Sequence, residues 1–296
     1  MDLHHVTGNT YFINYPSVVG VYVFDDNSCL LIDSGASASF GLKTIKILEK
    51  QGLKIGGIIN THFHGDHTGG NKAIQDYCDC PIYASPIDKI FIENPILSPF
   101  SIYSAYPLEP LKNKLVMSAP SKVSYEVTGN SVNIHEQEFN IIELSGHTMG
   151  QIGIVTPDEV FFAGDAVISH RNLVKFPFLY MGDLDSYLKS LEKLKGVEFP
   201  YKILSHDGLF MDDWQQTLAA NEQQIQTIIN VILAKLSSFQ SREQVIQEVI
   251  NQLDLPINTS QYFLISASIS AYLSFLHSKK LIKIIVEDKQ IRFSKA

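Results

Sequence analysis

Thr61-His62-Phe63-His64-Gly65-Asp66-His67 places three imidazoles and one carboxylate within six residues of His62. Imidazole is a neutral nitrogen ligand at pH 7, and a carboxylate balances the charge of a bound cation. The short apolar run from Gly57 to Thr61 reads as a buried strand leading into this cluster. His62 and His64, two apart at its end, are then expected to project to one side. Gly65 is expected to permit a sharp turn, after which Asp66 and His67 point back toward a second position. Thr68-Gly69-Gly70-Asn71 is expected to open a helix. Histidines at this density point to a metal site rather than to scattered core or surface residues.

Four residues cannot complete two metal shells, so distant ligands are required. They are expected just after strands, where the loops of a sheet converge. His147 follows the strand-like run Phe139 to Leu144, Asp165 follows Val160 to Ala163, and His206 follows Lys202 to Ser205. Each is a metal-binding side chain at an expected strand end. Upstream, Val18 to Phe24 and Cys29 to Asp33 read as strands joined by Asp25-Asp26-Asn27. Ile152 to Thr156 reads as another strand. Ala38 to Gln51 reads as a helix, and Asp185 to Lys195 as a second with Leu188, Leu191 and Leu194 inward and Gly196 closing it. Strands in runs with a few helices imply an α/β chain of αββα layers.

Two stretches depart from that pattern. From Glu93 to Pro120 there are five prolines, Pro95, Pro99, Pro107, Pro110 and Pro120. Such a stretch is neither one regular helix nor a central strand, and reads as a long connection or lid. Beyond Trp214, apolar residues recur at helical spacing: Ile225, Ile228, Ile229, Ile232 and Leu236, then Val245, Ile246, Val249, Ile250 and Leu253, then Ile265, Ile269, Tyr272, Leu273 and Leu276. Leu281 to Glu287 and Gln290 to Phe293 read as a hairpin turning at Asp288-Lys289. Helices followed by a two-stranded wing resemble a winged-helix module. The expected division is 1–214, carrying the ligands with 93–120 as insertion or lid, and 215–296, helical and winged-helix-like.

The net charge of −8 disfavours generic attraction to nucleic acid or an anionic membrane. Three cysteines, Cys29, Cys78 and Cys80, do not make a disulfide framework. No basic segment followed by an apolar run is visible at the start, and no stretch has the roughly 20 apolar residues of a membrane span. These signals imply a cytoplasmic location. His4, His5, His135 and His277 lack ligand context, and His170 and Arg171 read as an exposed loop. The run Phe176 to Tyr180 reads either as a wall near the metals or as core.

The order H-x-H-x-D-H, a His in Gly146-His147-Thr148, Gly164-Asp165 and a late His206 resembles the metallo-β-lactamase superfamily, and Leu31-Ile32-Asp33-Ser34-Gly35 matches its early strand and turn. The resemblance covers about Thr10 to Asp207. It implies a four-layer αββα sandwich holding two divalent ions, zinc first, with iron or manganese as alternatives. It puts His62, His64 and His147 on one ion, Asp66, His67 and His206 on the other, and Asp165 between them. Asp33, Thr61 and Thr148 would support these ligands from behind. The implied reaction is hydrolysis of a small ester, thioester or lactone by a hydroxide shared between the ions, with Asp66 orienting it or passing a proton to the leaving group.

Asp165 in place of Cys resembles the glyoxalase II and ribonuclease Z branches. Ile168 stands where many lactonases carry Tyr, and no glutathione-binding basic motif is evident. The resemblance leaves two rival activities, RNA phosphodiester cleavage and a mononuclear-iron persulfide dioxygenase. The expected partner is a small molecule. Nucleic acid, through Lys279, Lys280, Lys283, Lys289, Arg292 and Lys295, is less favoured, no membrane is expected, and a homodimer is allowed.

Overall fold

Strands buried along nearly their whole length need cover on both faces. Val19–Val23 and Ser28–Ile32, each buried at all but one end residue, and Ile152–Val155 and Val160–Phe162, buried throughout, are of this kind. The computed structural model gives them that cover. It describes residues 2–14 and 16–296; Met1 and Tyr15, both within the expected first part, lie outside the described residues.

The first sheet runs in chain order: β1 (Leu3–Thr7), β2 (Thr10–Ile13), β3 (Val19–Val23), β4 (Ser28–Ile32), β5 (Lys54–Ile59), β6 (Ile82–Ala84) and β7 (Tyr125–Glu126). It is antiparallel up to β4 and parallel from β4 onward. The second comprises β8 (Ser131–Ile134), β9 (Gln137–Glu143), β10 (Ile152–Val155), β11 (Val160–Phe162), β12 (Tyr201–Leu204) and β13 (Gly208–Phe210). Only its β11–β12 pair is parallel.

The alternation of side chains along a strand sorts the core into layers. Leu30, Ile32 and Ile59 of the first sheet meet Phe139, Ile154 and Phe162 of the second between the sheets. Leu31 and Ile58 face the other way, onto Phe40, Ile45 and Leu48 of α1 (Ala38–Glu49) and Ile74 of α3 (Asn71–Cys78). A third cluster joins Val155 and Phe161 to Leu191 and Leu194 of α7 (Leu184–Lys195). The αββα layering is therefore present. Within α7 the fully buried ring is Tyr187, while Leu188 is only half-buried, which corrects one of the three expected inward leucines.

That third cluster continues through Trp214, Leu218 and Ile225 of α8 (Trp214–Lys235) into Val245 of α9 (Arg242–Gln252) and Tyr272 of α10 (Thr259–Ser278). A hairpin of β14 (Ile282–Glu287) and β15 (Gln290–Lys295) follows. The proline-rich stretch holds α5 (Leu97–Tyr103), with Pro99 in its first turn where proline is tolerated, and a single 3-10 turn at Glu109–Leu111. It packs on α10: Ile102, Leu111 and Val116 cluster with Phe263, Leu264 and Ala267. No helix among the described residues is long and apolar enough to cross a membrane.

Candidate metal centre

The His cluster begins where β5 ends, at Ile59 rather than Thr61, so His62 and His64 sit in a loop just past the strand. A one-turn helix, α2 (Gly65–Thr68), carries Asp66 and His67. Gly65 is not left-handed, which corrects the expected reason for it. A Cβ there would lie 2.3 Å from the Lys114 carbonyl oxygen, and its N–H donates to the Leu115 carbonyl at 3.2 Å. Glycine is demanded by the close approach of the proline-rich segment. Gly146, before His147, is demanded by both causes: its φ is 140° and a Cβ would lie 2.4 Å from the Tyr187 backbone.

Four separate segments bring the seven side chains together. Three groups have ligand atoms within 4.8 Å of one another: His62, His64 and His147; His62, His67 and Asp165; Asp66, His67 and His206. Asp165 lies between the outer two, with Oδ2 3.6 Å from His147 Nε2 and Oδ1 3.3 Å from His67 Nε2 and 3.4 Å from His206 Nε2. Asp66 Oδ2 is 3.7 Å from Nε2 of both His67 and His206.

Most ring orientations are fixed from behind. His67 Nδ1 donates to Asp33 Oδ2 at 2.8 Å, His147 Nδ1 to the Tyr180 carbonyl at 3.0 Å and His206 Nδ1 to the Pro16 carbonyl at 2.8 Å. His62 Nδ1 donates to Thr61 Oγ1 at 3.1 Å, whose own proton goes to Asp33 Oδ2 at 2.7 Å. A ring that donates from Nδ1 keeps the Nε2 lone pair, here turned inward. Asp33 also accepts from the Thr61 N–H at 2.8 Å, and its φ of 61° aims it at the site. Thr148 bonds none of the rings; its hydroxyl is buried without a hydrogen-bond partner beside Asp88.

The donor set fits cations. His62 Nε2, His67 Nε2 and Asp165 Oδ1 are buried and make no hydrogen bond, the 3.3 Å approach of the last two being misaligned. Buried polar atoms are normally paired. Nδ1 of His64 and Nε2 of His147 face each other at 2.9 Å. Burial and neighbouring imidazoles hold His62 and His64 well below the ordinary histidine range, and burial lowers His147, so all three favour the neutral, ligating form. Burial also pushes His67 and His206 down, but the Asp165 and Asp66 carboxylates, joined by Asp33 at His67, win. They hold His67 well above the ordinary range and His206 at about 9. Burial would raise Asp165, yet His206 and His67 keep it well below the usual carboxylate range. The pocket thus asks for positive charge at its second group.

The expected bystanders stay outside. His4, His5, His135, His170 and His277 are exposed; His170 and Arg171 open a short helix, α6 (His170–Lys175), rather than the expected loop, because Ser169 caps it, and Arg171 pairs with Asp207 at 2.5 Å. The cysteines are free, with Cys29 and Cys80 pushed up to about 12 by burial. Of the Phe176 to Tyr180 run, Tyr180 is the wall: its ring centroid is 5.4 Å from that of His64. The anchoring carbonyls of Pro16 and Tyr180 went unnoticed in the sequence, since a backbone carbonyl leaves no residue-type signal.

The family model of the metallo-beta-lactamase superfamily matches residues 14–206. The probable metallo-hydrolase YflN of Bacillus subtilis is 28% identical over 223 residues, 69% of this chain and 81% of its own length. A hydroxyacylglutathione hydrolase of Wigglesworthia glossinidia brevipalpis is 26% identical, over 53% of this chain and 49% of its own. Matched segments span about half the length of some of the curated relatives. In structure, a beta-lactamase domain protein from Burkholderia ambifaria superposes with a TM-score of 0.79 at 15% identity, covering 100% of this chain and 94% of its own. That likeness establishes shared fold. With the family model spanning both ends of the ligand set, from before Asp33 to His206, the chain belongs to the metallo-beta-lactamase superfamily.

Proposed function

We propose that this chain is a metal-dependent hydrolase of small esters, thioesters or lactones, using two divalent ions, zinc ahead of iron or manganese. His62, His64 and His147 are assigned to one ion, Asp66, His67 and His206 to the other, and Asp165 to both. The observation that carries the reading is the set of buried inward atoms without hydrogen bonds, His62 Nε2, His67 Nε2 and Asp165 Oδ1. When bound, such ions supply a Lewis acid and a water acidified toward neutral pH. The chain's own part is positioning and proton handling. Asp66 lines the cavity over the site and accepts a hydrogen bond from Ser17 Oγ at 3.3 Å. It is assigned to hold the nucleophile's proton and return it to the leaving group. Ile102, Leu115, Val116 and Leu264 wall that cavity.

Similarity to a probable metallo-hydrolase supports hydrolysis, and similarity to a hydroxyacylglutathione hydrolase supports an acyl substrate. RNA is less well supported: Lys279 already pairs with Asp185 at 2.6 Å, and Arg292 lies 3.8 Å from Glu287. The division into 1–214 and 215–296, a winged-helix-like character for the latter, and a cytoplasmic location belong to the same proposal. The test is elemental analysis of freshly purified protein beside His67→Ala and Asp165→Ala, with ester and thioester assays. Two equivalents of zinc or manganese, falling to about one in His67→Ala, together with turnover abolished by chelation, are expected. A single iron that survives His67→Ala, with oxygen consumed on sulfur compounds, would overturn the reading.

A further inference from the structure

A cavity of about 470 Å³ opens beside His147, within the roughly 300–1,000 Å³ typical of small-molecule sites. A smaller one of about 140 Å³ lies over His64, Asp66, His147 and Asp165. The two share Ile102, His147 and Tyr180, so they are adjoining compartments of one cleft. The smaller compartment holds His64, Asp66, His147 and Asp165 beside the apolar Ile102, Leu115, Val116 and Leu264. The larger carries the rings of Phe63, Phe91, Tyr103, Tyr180, Tyr262 and Phe263, with Arg242, Glu243 and five serine or threonine hydroxyls on the rest of its wall.

These walls are organised. Phe63 stacks on Phe91 at 4.2 Å and 13°, and Tyr103 meets Phe263 edge-on at 5.1 Å and 82°. Phe63 also meets the His64 ring at 4.8 Å, so the aromatic lining starts at the candidate ligands themselves. The ligand loop, the pair α4 (Pro86–Glu93) and α5, the segments 147–149 and 180–182, the start of α9, and α10 all contribute. Hydrogen bonds tie segments beside this wall to α10. Ser260 Oγ donates to the Pro110 carbonyl at 2.5 Å, Asn113 Nδ2 donates to Ser260 Oγ at 3.1 Å, and the Met181 N–H donates to Ser268 Oγ at 2.9 Å. Arg242 is the one cation lining the cavity among the described residues. It is already bound to Glu243 at 2.9 Å and to Ser270 Oγ at 3.2 Å. A polyanion finds no free positive charge in this wall, although nucleic-acid affinity depends on several such contacts.

Resting on the hydrolase reading, we infer that the substrate is an ester or thioester carrying a bulky apolar group, a medium-length alkyl chain or an aryl ring. That group lies between α5 and α10 while the scissile carbonyl sits beside His147 and Asp165. Water adds to the acyl carbon, the acyl–oxygen or acyl–sulfur bond breaks, and the leaving group takes the proton.

The test has a kinetic arm and a binding arm. The metal-loaded protein is assayed on p-nitrophenyl esters from acetyl to decanoyl. Each added methylene is expected to raise kcat/KM about fourfold until the cavity fills. In parallel, calorimetric titration compares 1-octanol with 1-propanol, and octanol is expected to bind at least about a hundredfold more tightly. Ala267→Phe, which fills the cavity from α10, should cut the decanoyl-to-acetyl ratio at least about tenfold. Should that variant not fold, Phe263→Ala, which removes a wall, should weaken octanol binding instead. A flat ester series with equal alcohol affinities would overturn the inference and leave hydrolysis standing. Octanol binding without cleavage of any ester would leave the apolar occupant standing and remove the hydrolase reading. Cleavage of RNA with no alkyl preference would also overturn the inference.

Discussion

Asp33 does more for the site than its place in a turn suggests. One carboxylate accepts from His67 Nδ1 and from both the N–H and the hydroxyl of Thr61, and through Thr61 it sets His62 as well. Two ligands on opposite groups therefore depend on one side chain. Asp33→Asn separates its charge from its shape, because Asn tolerates the left-handed φ of 61°. The new amide N–H₂ would donate to His67 Nδ1, which moves the ring proton to Nε2 and removes the inward lone pair. Calorimetric metal titration of Asp33→Asn should show affinity at the second group reduced about 10–100-fold, with the melting temperature changed by only a few degrees. Unchanged affinity would mean that Asp33 merely shapes the turn. Asp33 was legible as a residue of interest from Leu31-Ile32-Asp33-Ser34-Gly35, but its reach to His62 was not, because that runs through a threonine hydroxyl whose direction only the folded loop defines.

At the scale of elements, the ligand loops were easier to foresee than their supports. Strands β3 and β4 and helix α1 lie within two residues of their expected bounds, because continuous burial and 3.6-residue spacing leave strong patterns. The five prolines exclude one regular helix across 93–120, yet α5 fits inside that stretch because Pro99 falls in a first turn. Asp88 of α4 gave no signal, since Ser85-Pro86-Ile87-Asp88 reads as an ordinary helix start. It is 1% exposed, and neither carboxyl oxygen has a well-formed hydrogen bond, although Ser85 and Thr148 stand beside it. Burial, with the Asp33 charge adding to it, pushes Asp88 up to about 8. In the unfolded chain the same carboxyl titrates near 4. Between those values the folded state holds a proton that the unfolded state has lost, so this group's stabilising contribution is present below about pH 4 and is lost as pH rises through about 8. Asp88→Asn removes the titration. Denaturant unfolding of both proteins should give similar stabilities near pH 4 and an advantage to Asp88→Asn near pH 8.5 on the order of a few kcal/mol. A difference independent of pH would show that the carboxyl stays charged in the folded chain.

The whole molecule is joined by the apolar cluster that runs from Val155 and Phe161 through α7 and α8 to Tyr272. The expected 214/215 division crosses this cluster at Trp214, which packs on Phe161 at 6.2 Å and on Phe210 at 5.9 Å. Helices α8 to α10 cannot leave without exposing α7, on which α8 and α10 both pack, and the Phe161 ring that Trp214 covers. The candidate ligands sit on loops of both sheets, so ions bound there tie the two layers together. A ligand held by the folded state alone stabilises it by mass action, about 4 kcal/mol at a thousandfold excess over Kd. For 150–250 residues each kcal/mol shifts the melting temperature by about 2–4 °C. Differential scanning calorimetry of metal-loaded and chelated protein should therefore show one transition in each case, lower by roughly 10 °C after chelation. Two transitions, with only the one belonging to 1–214 responding to chelator, would mean that the cluster through Trp214 is too weak to couple the helical segment to the metal centre.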